Sequence, residues 1–191
     1  MDDLTNLAVE TSVNPPVQDK AHLLSVPPNM KYSNAQPLWH LVLLDSLSFG
    51  LYFIYWSYRN LKDIKECKKT DINPVTKALA LLIPIVGLAF LWEQLVAFKN
   101  FTEEAGIKNT FSPNWMMTGV IVFNGVSRLP DPYWLLSILV VVPVVIMQNK
   151  LNQAWANIGP GLKVRKLPTI EDLLAVVLSW VIMIAIGMIW G

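Results

Sequence analysis

The sequence predicts an all-α protein, a polytopic membrane helix bundle with four or five membrane segments. Three observations carry that prediction. Of 191 residues, 53% are apolar or aromatic and only 15% are charged, against about 25% charged in an average soluble domain. The charges cluster, so that long stretches hold no Asp, Glu, Lys or Arg at all. Tryptophans stand near the ends of those stretches, where an amphipathic ring is favoured at headgroup depth.

The same composition excludes several classes. A mean hydropathy of +0.42 is incompatible with a disordered chain. Fifteen basic and fourteen acidic residues leave a formal charge of +1, too balanced for a nucleic-acid partner. A single cysteine, Cys67, rules out an internal disulfide and any paired-cysteine metal or redox centre. It reads as an incidental surface thiol. The histidines are His22 and His40, too few for a two-histidine haem site, and no cofactor or metal is expected.

Taken in order, residues 1–36 read as a proline-rich extended tail, with Asn14-Pro15-Pro16 and Pro27-Pro28-Asn29 and no helical or strand period. Met1-Asp2-Asp3 opens no basic region and no apolar core, so no secretory signal is expected. Residues 37–191 read as one membrane domain. A helix needs about 20 apolar residues to cross about 30 Å of hydrocarbon. Five segments approach that, at about 38–58, 75–98, 113–128, 132–149 and 171–190.

Helix starts are legible. Pro37, Pro113 and Pro132 suit a first helical turn, where a missing N–H costs nothing, and each precedes a tryptophan by two residues. The fifth segment opens on Thr169-Ile170-Glu171-Asp172, a capping-box pattern with acids in the positive first turn. Trp56, Trp92 and Trp190 complete the belts. Interfacial amphipathic helices are expected at about 59–69, from the stripe Tyr58, Leu61 and Ile64, and at about 150–158, from Leu151, Ala154, Trp155 and Ile158.

Simple counting leaves orientation open. Five plain crossings divide the Lys and Arg residues eight to seven. The second segment carries Pro84-Ile85-Val86-Gly87, residue types that break a helix. If it dips in and returns, the division becomes twelve to three, with the tail on the side opposite the lysine-rich residues 59–77. Freed backbone groups at such a turn must be buried or hydrated.

Polar residues inside the apolar stretches are the candidate site. Asp45 lies near the middle of the first segment, where an aspartate costs on the order of 3 kcal/mol. On an unbroken helix Ser48 and Tyr52 share its face. That stripe reads either as a proton or cation site or as packing glue. His40, Glu93, Arg128 and Asp131 are expected at the interface, and Gly119 and Gly125 in span three allow close helix approach. There is no phosphate loop, no zinc-binding HExxH and no GxSxG.

Around Phe49-Gly50-Leu51-Tyr52, Tyr55-Trp56 and Tyr58-Arg59-Asn60 the chain resembles a family of small prokaryotic multi-pass membrane proteins classed as a domain of unknown function. The likeness covers about residues 38–100. It implies a protein of the bacterial inner membrane and brings no activity, cofactor or catalytic residues. Together these readings lead to an expected non-enzymatic accessory or scaffold subunit, whose partners are the lipid bilayer, other membrane proteins or itself. The alternatives are a small-solute or ion translocator using Asp45, or a lipid-acting enzyme.

Overall fold

The computed structural model describes Leu24 and residues 26–28, 30–108, 110–126 and 128–190. The expected tail over residues 1–23 therefore lies outside the described residues, as do the side chains of Trp134 and Trp190. Every named element among the described residues is helical. They are α1 (Leu38–Leu47), α2 (Tyr52–Lys68), α3 (Pro74–Ala80), α4 (Pro84–Glu104), α5 (Pro113–Val126), a 3-10 helix (Tyr133–Val140), α6 (Val141–Ile158) and α7 (Ile170–Trp190). One continuous helical run, Leu135–Ile158, is long and apolar enough to cross a membrane.

The first expected segment, 38–58, is not one helix. The chain turns at residues 48–51, where Phe49 and Gly50 take φ of 54° and 83°, the left-handed region that glycine enters freely. It then doubles back: Asn34 donates to the backbone carbonyl of Arg59 at 3.1 Å. Two residues that a straight helix would hold more than 30 Å apart are in contact.

The second segment, 75–98, is broken as well, at residues 81–83. Pro84 ends the i→i−4 ladder of α3, and α4 starts afresh in the reverse direction. Lys77 pairs with Glu93, and Gln94 donates to the Lys77 carbonyl at 3.2 Å. A third, longer hairpin joins α5 to α6, and Asn157 donates to the Ala105 carbonyl at 3.1 Å near its base. Of the two glycines expected to admit close approach in α5, Gly119 does so. A Cβ there would lie 3.1 Å from Pro143, whereas Gly125 has nothing within 4 Å.

Both stretches expected as interfacial helices are helical, each as the end of a longer helix. Residues 59–69 continue α2 without a break to Lys68, and 150–158 continue α6. Their apolar stripes are not laid on lipid: Leu61, Ile64, Cys67, Leu151, Ala154 and Trp155 are all in the core. Each stripe found a helical partner: Lys68 at the end of α2 bonds Glu104 at the end of α4, and Trp155 of α6 meets Phe101 of α4. Trp56, expected in an aromatic belt, is fully buried at the centre, edge-on to Phe98 at 5.6 Å and stacked on Phe53. Trp39, Trp92 and Trp115 are exposed.

Residues 33–36 belong to this body rather than to a solvated tail. Tyr32 bridges Lys163, and Ser33, Asn34, Ala35 and Gln36 are buried. They lie on the same side as the bases of α2, opposite to the arrangement the twelve-to-three count implied. The bases of the earliest described residues and of the α6–α7 loop thus join one charged layer. Among the described residues, Arg128 alone of the lysines and arginines stands at the other end, in the exposed tip of the third hairpin.

The α3–α4 turn sets a testable constraint. A Cβ on Gly87 would come within 2.9 Å of the Leu81 carbonyl oxygen and 3.1 Å of that of Ala80, both backbone. Gly87→Ala is expected to lower the thermal midpoint in detergent despite the ~1 kcal/mol gain in helix propensity. Gly125→Ala, with open space around it, leaves the midpoint unchanged or higher.

Candidate functional site, a buried polar belt

Where the charged layer meets the apolar one, polar side chains from five parts of the chain converge. Arg59 on α2 is at the centre. Its Nη1 donates to Asp172 Oδ1 at 2.7 Å and its Nη2 to Gln36 Oε1 at 2.6 Å, with the guanidinium 5.8 Å from the Tyr55 ring. The pair is nearly water-free, at 7% and 4% side-chain exposure. At that burial the attraction must outweigh the loss of hydration, so extra hydrogen bonds matter. Asp172 has them: the Tyr52 hydroxyl donates to it at 2.8 Å, and Thr169 donates from both its backbone N–H and its hydroxyl at 2.8 Å. The predicted capping box at 169–172 is formed, its acid shared between the helix end and Arg59.

Beside it runs an amide network. Trp56 Nε1 donates to Gln148 Oε1, and Gln148 Nε2 donates to Asn152 Oδ1 at 2.6 Å and to the Asn34 carbonyl at 3.3 Å. Asn152 in turn donates to the Gln36 carbonyl at 2.8 Å and accepts from the Gln36 N–H at 3.1 Å. On the far side of α2, Ser57 donates to Gln94 of α4. A cleft of about 460 Å³ opens beside residues 33–37 and the end of α6. Of its lining amides, Asn152 is bonded within the belt, whereas Gln36 accepts from Arg59 through Oε1 and its Nε2 has no partner.

The candidate residues scatter. Because α1 ends at Leu47, Asp45, Ser48 and Tyr52 do not share a helical face. The Ser48 hydroxyl bonds only backbone, donating to the Asp45 carbonyl and accepting from the Tyr52 N–H at 2.8 Å. Tyr52 reaches Asp172 instead. The Asp45 side chain is buried, its Oδ1 has no hydrogen-bond partner, and α2 starts without a side-chain cap. His40, expected in a solvated interface, is buried with its ring 4.0 Å from that of Trp39. Glu93 pairs with Lys77, and Arg128 and Asp131 are exposed at the third tip.

The members that sequence reasoning missed are Arg59, Gln36, Gln148, Asn152 and Asn34. Gln148 carried a signal, an amide beside Asn149 at the end of a charge-free stretch. Among the described residues no cluster of His, Cys, Asp and Glu could hold a metal ion. Cys67 is not the expected surface thiol: burial, followed by Asp63 and Glu66, pushes it up to about 12, far from a reactive thiolate. No family model, curated protein or solved structure matches the chain.

Two predictions follow from this electrostatics. Arg59→Met strands the Asp172 charge and is expected to cost about 3–5 kcal/mol, while Tyr52→Phe costs about 1 kcal/mol. The double variant Arg59→Met/Asp172→Leu should recover part of the loss, read by denaturant or thermal unfolding in detergent. Asp63, on the charged half of α2, is pushed up to about 6 by burial first and by Glu66 second, with Arg59, Lys62 and Arg165 pulling it down. A raised acid binds its proton more tightly when folded, so stability falls as pH climbs from about 4 through about 6. Asp63→Asn is therefore expected to raise the midpoint at pH 7.5 and to match the parent near pH 4.

Proposed function

We propose that the chain is an integral membrane protein without enzymatic activity, an accessory or scaffold subunit of the bacterial cytoplasmic membrane. The single observation that carries the membrane assignment is α7. Leu173, Leu174, Val177 and Leu178 are each more than half exposed, and every described residue from Trp180 onward is exposed, with no charge after Asp172. A helix that is apolar all round is stable only with its surface in protein or lipid. The exposed apolar side chains of α4, α5 and the 3-10 helix extend the same surface. In this reading α5, the run through Leu135–Ile158, and α7 cross the hydrocarbon. The eight-residue 3-10 helix, rising about 2.0 Å per residue, lengthens a stretch that would be short as α-helix. The charged layer then faces the cytoplasm, in keeping with the positive-inside rule.

The scaffold reading is supported by the belt itself, whose hydrogen bonds join the residues before α1 to α2, α6 and α7. A translocation path has one observation in its favour: Asp45 is buried and its Oδ1 has no hydrogen-bond partner. Asp45→Asn separates the two. If Asp45 has no transport role, ion leak from reconstituted vesicles should stay at the parent level; a stably folded variant with altered leak supports translocation. For the membrane assignment, the chain is expected to resist alkaline carbonate extraction. A reporter fused before Met1 should be active only in the cytoplasm, and one fused after Gly191 only outside it. Carbonate release, or both reporters on one side, overturns the reading.

A further inference from the structure

We propose that the first two hairpins enter only the leaflet next to the charged layer, making the molecule a one-leaflet wedge whose partner is a convexly curved bilayer. The inference rests on the membrane reading above and adds depth and shape to it. Both hairpins start and finish in the belt, at residues 34 and 59 and at residues 77 and 94. Their outward helices hold 10 and 7 residues, about 15 and 10 Å of rise, half or less of a hydrocarbon slab of about 30 Å.

The tips are built for hydrocarbon rather than for water. Leu47 and Phe49 are exposed on the first, and Leu82, Ile83 and Ile85 on the second, with Ile85 at 84%. A tip that emerged on the far side would need polar residues, as the third hairpin has in Arg128 and Asp131. Lipid also cannot satisfy a free backbone N–H. At the first tip the N–H groups of Ser48, Phe49, Gly50, Leu51, Phe53 and Ile54 donate to nearby carbonyls, and that of Tyr52 to the Ser48 hydroxyl. Those of Leu81, Leu82 and Ile83 do the same at the second, ahead of a proline that has none.

The consequence is an uneven cross-section. In the leaflet beside the charged layer, α1, the first turns of α2, α3 and the first turns of α4 add to α5, α6 and α7. Beyond the two tips only the third hairpin and α7 continue. Extra volume in one leaflet favours a membrane convex on that side, and the basic residues there add attraction to anionic headgroups.

The test uses the full chain in a Cys67→Ala background, with single cysteines at Leu82, Pro130 or Leu167, reconstituted into phosphatidylcholine–phosphatidylglycerol vesicles. A membrane-impermeant maleimide is expected to label Leu167→Cys from one side, Pro130→Cys from the other, and Leu82→Cys from neither. On mixed vesicles, protein per lipid area should be at least about threefold higher on those of about 50 nm than on those of about 400 nm. Labelling of Leu82→Cys from the Pro130 side means that the second hairpin crosses, and overturns the proposal. Disulfide-linked dimers through Leu82→Cys mean that a second copy covers the tip, and overturn it too. Equal density on both vesicle sizes overturns the wedge. If instead the protein leaves the vesicles in alkaline carbonate, it is the membrane reading that has failed.

Discussion

The fold depends on keeping one guanidinium charge paired where water is excluded. Arg59 sits at the point where the chain enters, returns and finally leaves for α7, and its two bonds hold the start of α7 and the residues before α1 to the middle of α2. An unpaired charge at that depth costs several kcal/mol, so the three pieces assemble together or not at all. Asp172 makes the coupling tighter, because the same carboxylate that neutralises Arg59 also closes the first turn of α7. A helix with an almost wholly exposed apolar surface is thereby anchored at one end.

What the residues disclosed in advance was the local chemistry. The capping box at 169–172, the helix starts at Pro113 and Ile170, the break near Pro84 and the close approach at Gly119 follow from short-range steric and hydrogen-bonding rules. What they concealed was direction. A charge-free stretch of twenty residues looks the same whether it runs straight through or folds at its middle, since both keep apolar side chains outward. At 38–58 the turn lies in Ser48-Phe49-Gly50, with no proline to announce it, and only the contact of Asn34 with Arg59 reveals the reversal. The partner of Arg59 is 113 residues away, a separation over which local pattern carries no information.

The amphipathic stripes failed for a related reason. Leu61 and Ile64, like Leu151 and Trp155, have the spacing of a helix with one apolar face, and periodicity cannot name what covers that face. Lipid headgroups were one answer; other helices were the one realised. Sharing a face with lysines is no obstacle, because the bases point away into the charged layer while Trp155 meets Phe101 at 5.2 Å. Cys67 was misread on the same grounds, its charged neighbours in sequence being its opposite neighbours in space.

Asp45 shows how the reversal changes the surroundings of the oddest residue in the chain. An aspartate in the middle of an apolar helix has no cause, and so invites a functional one. An aspartate three residues before a tight turn lies close to the start of the next helix. The N-terminal turn of α2 carries a partial positive charge and donors that no preceding helical turn can satisfy. In an apolar layer those donors cannot turn to water, so the chain must supply the acceptors itself. Ser48 supplies one to the Tyr52 N–H, and the Gly50 and Leu51 carbonyls take those of Phe53 and Ile54. The turn is closed by its own backbone and by Ser48, and Asp45 takes part through its carbonyl, which accepts from the Gly50 N–H and the Ser48 hydroxyl.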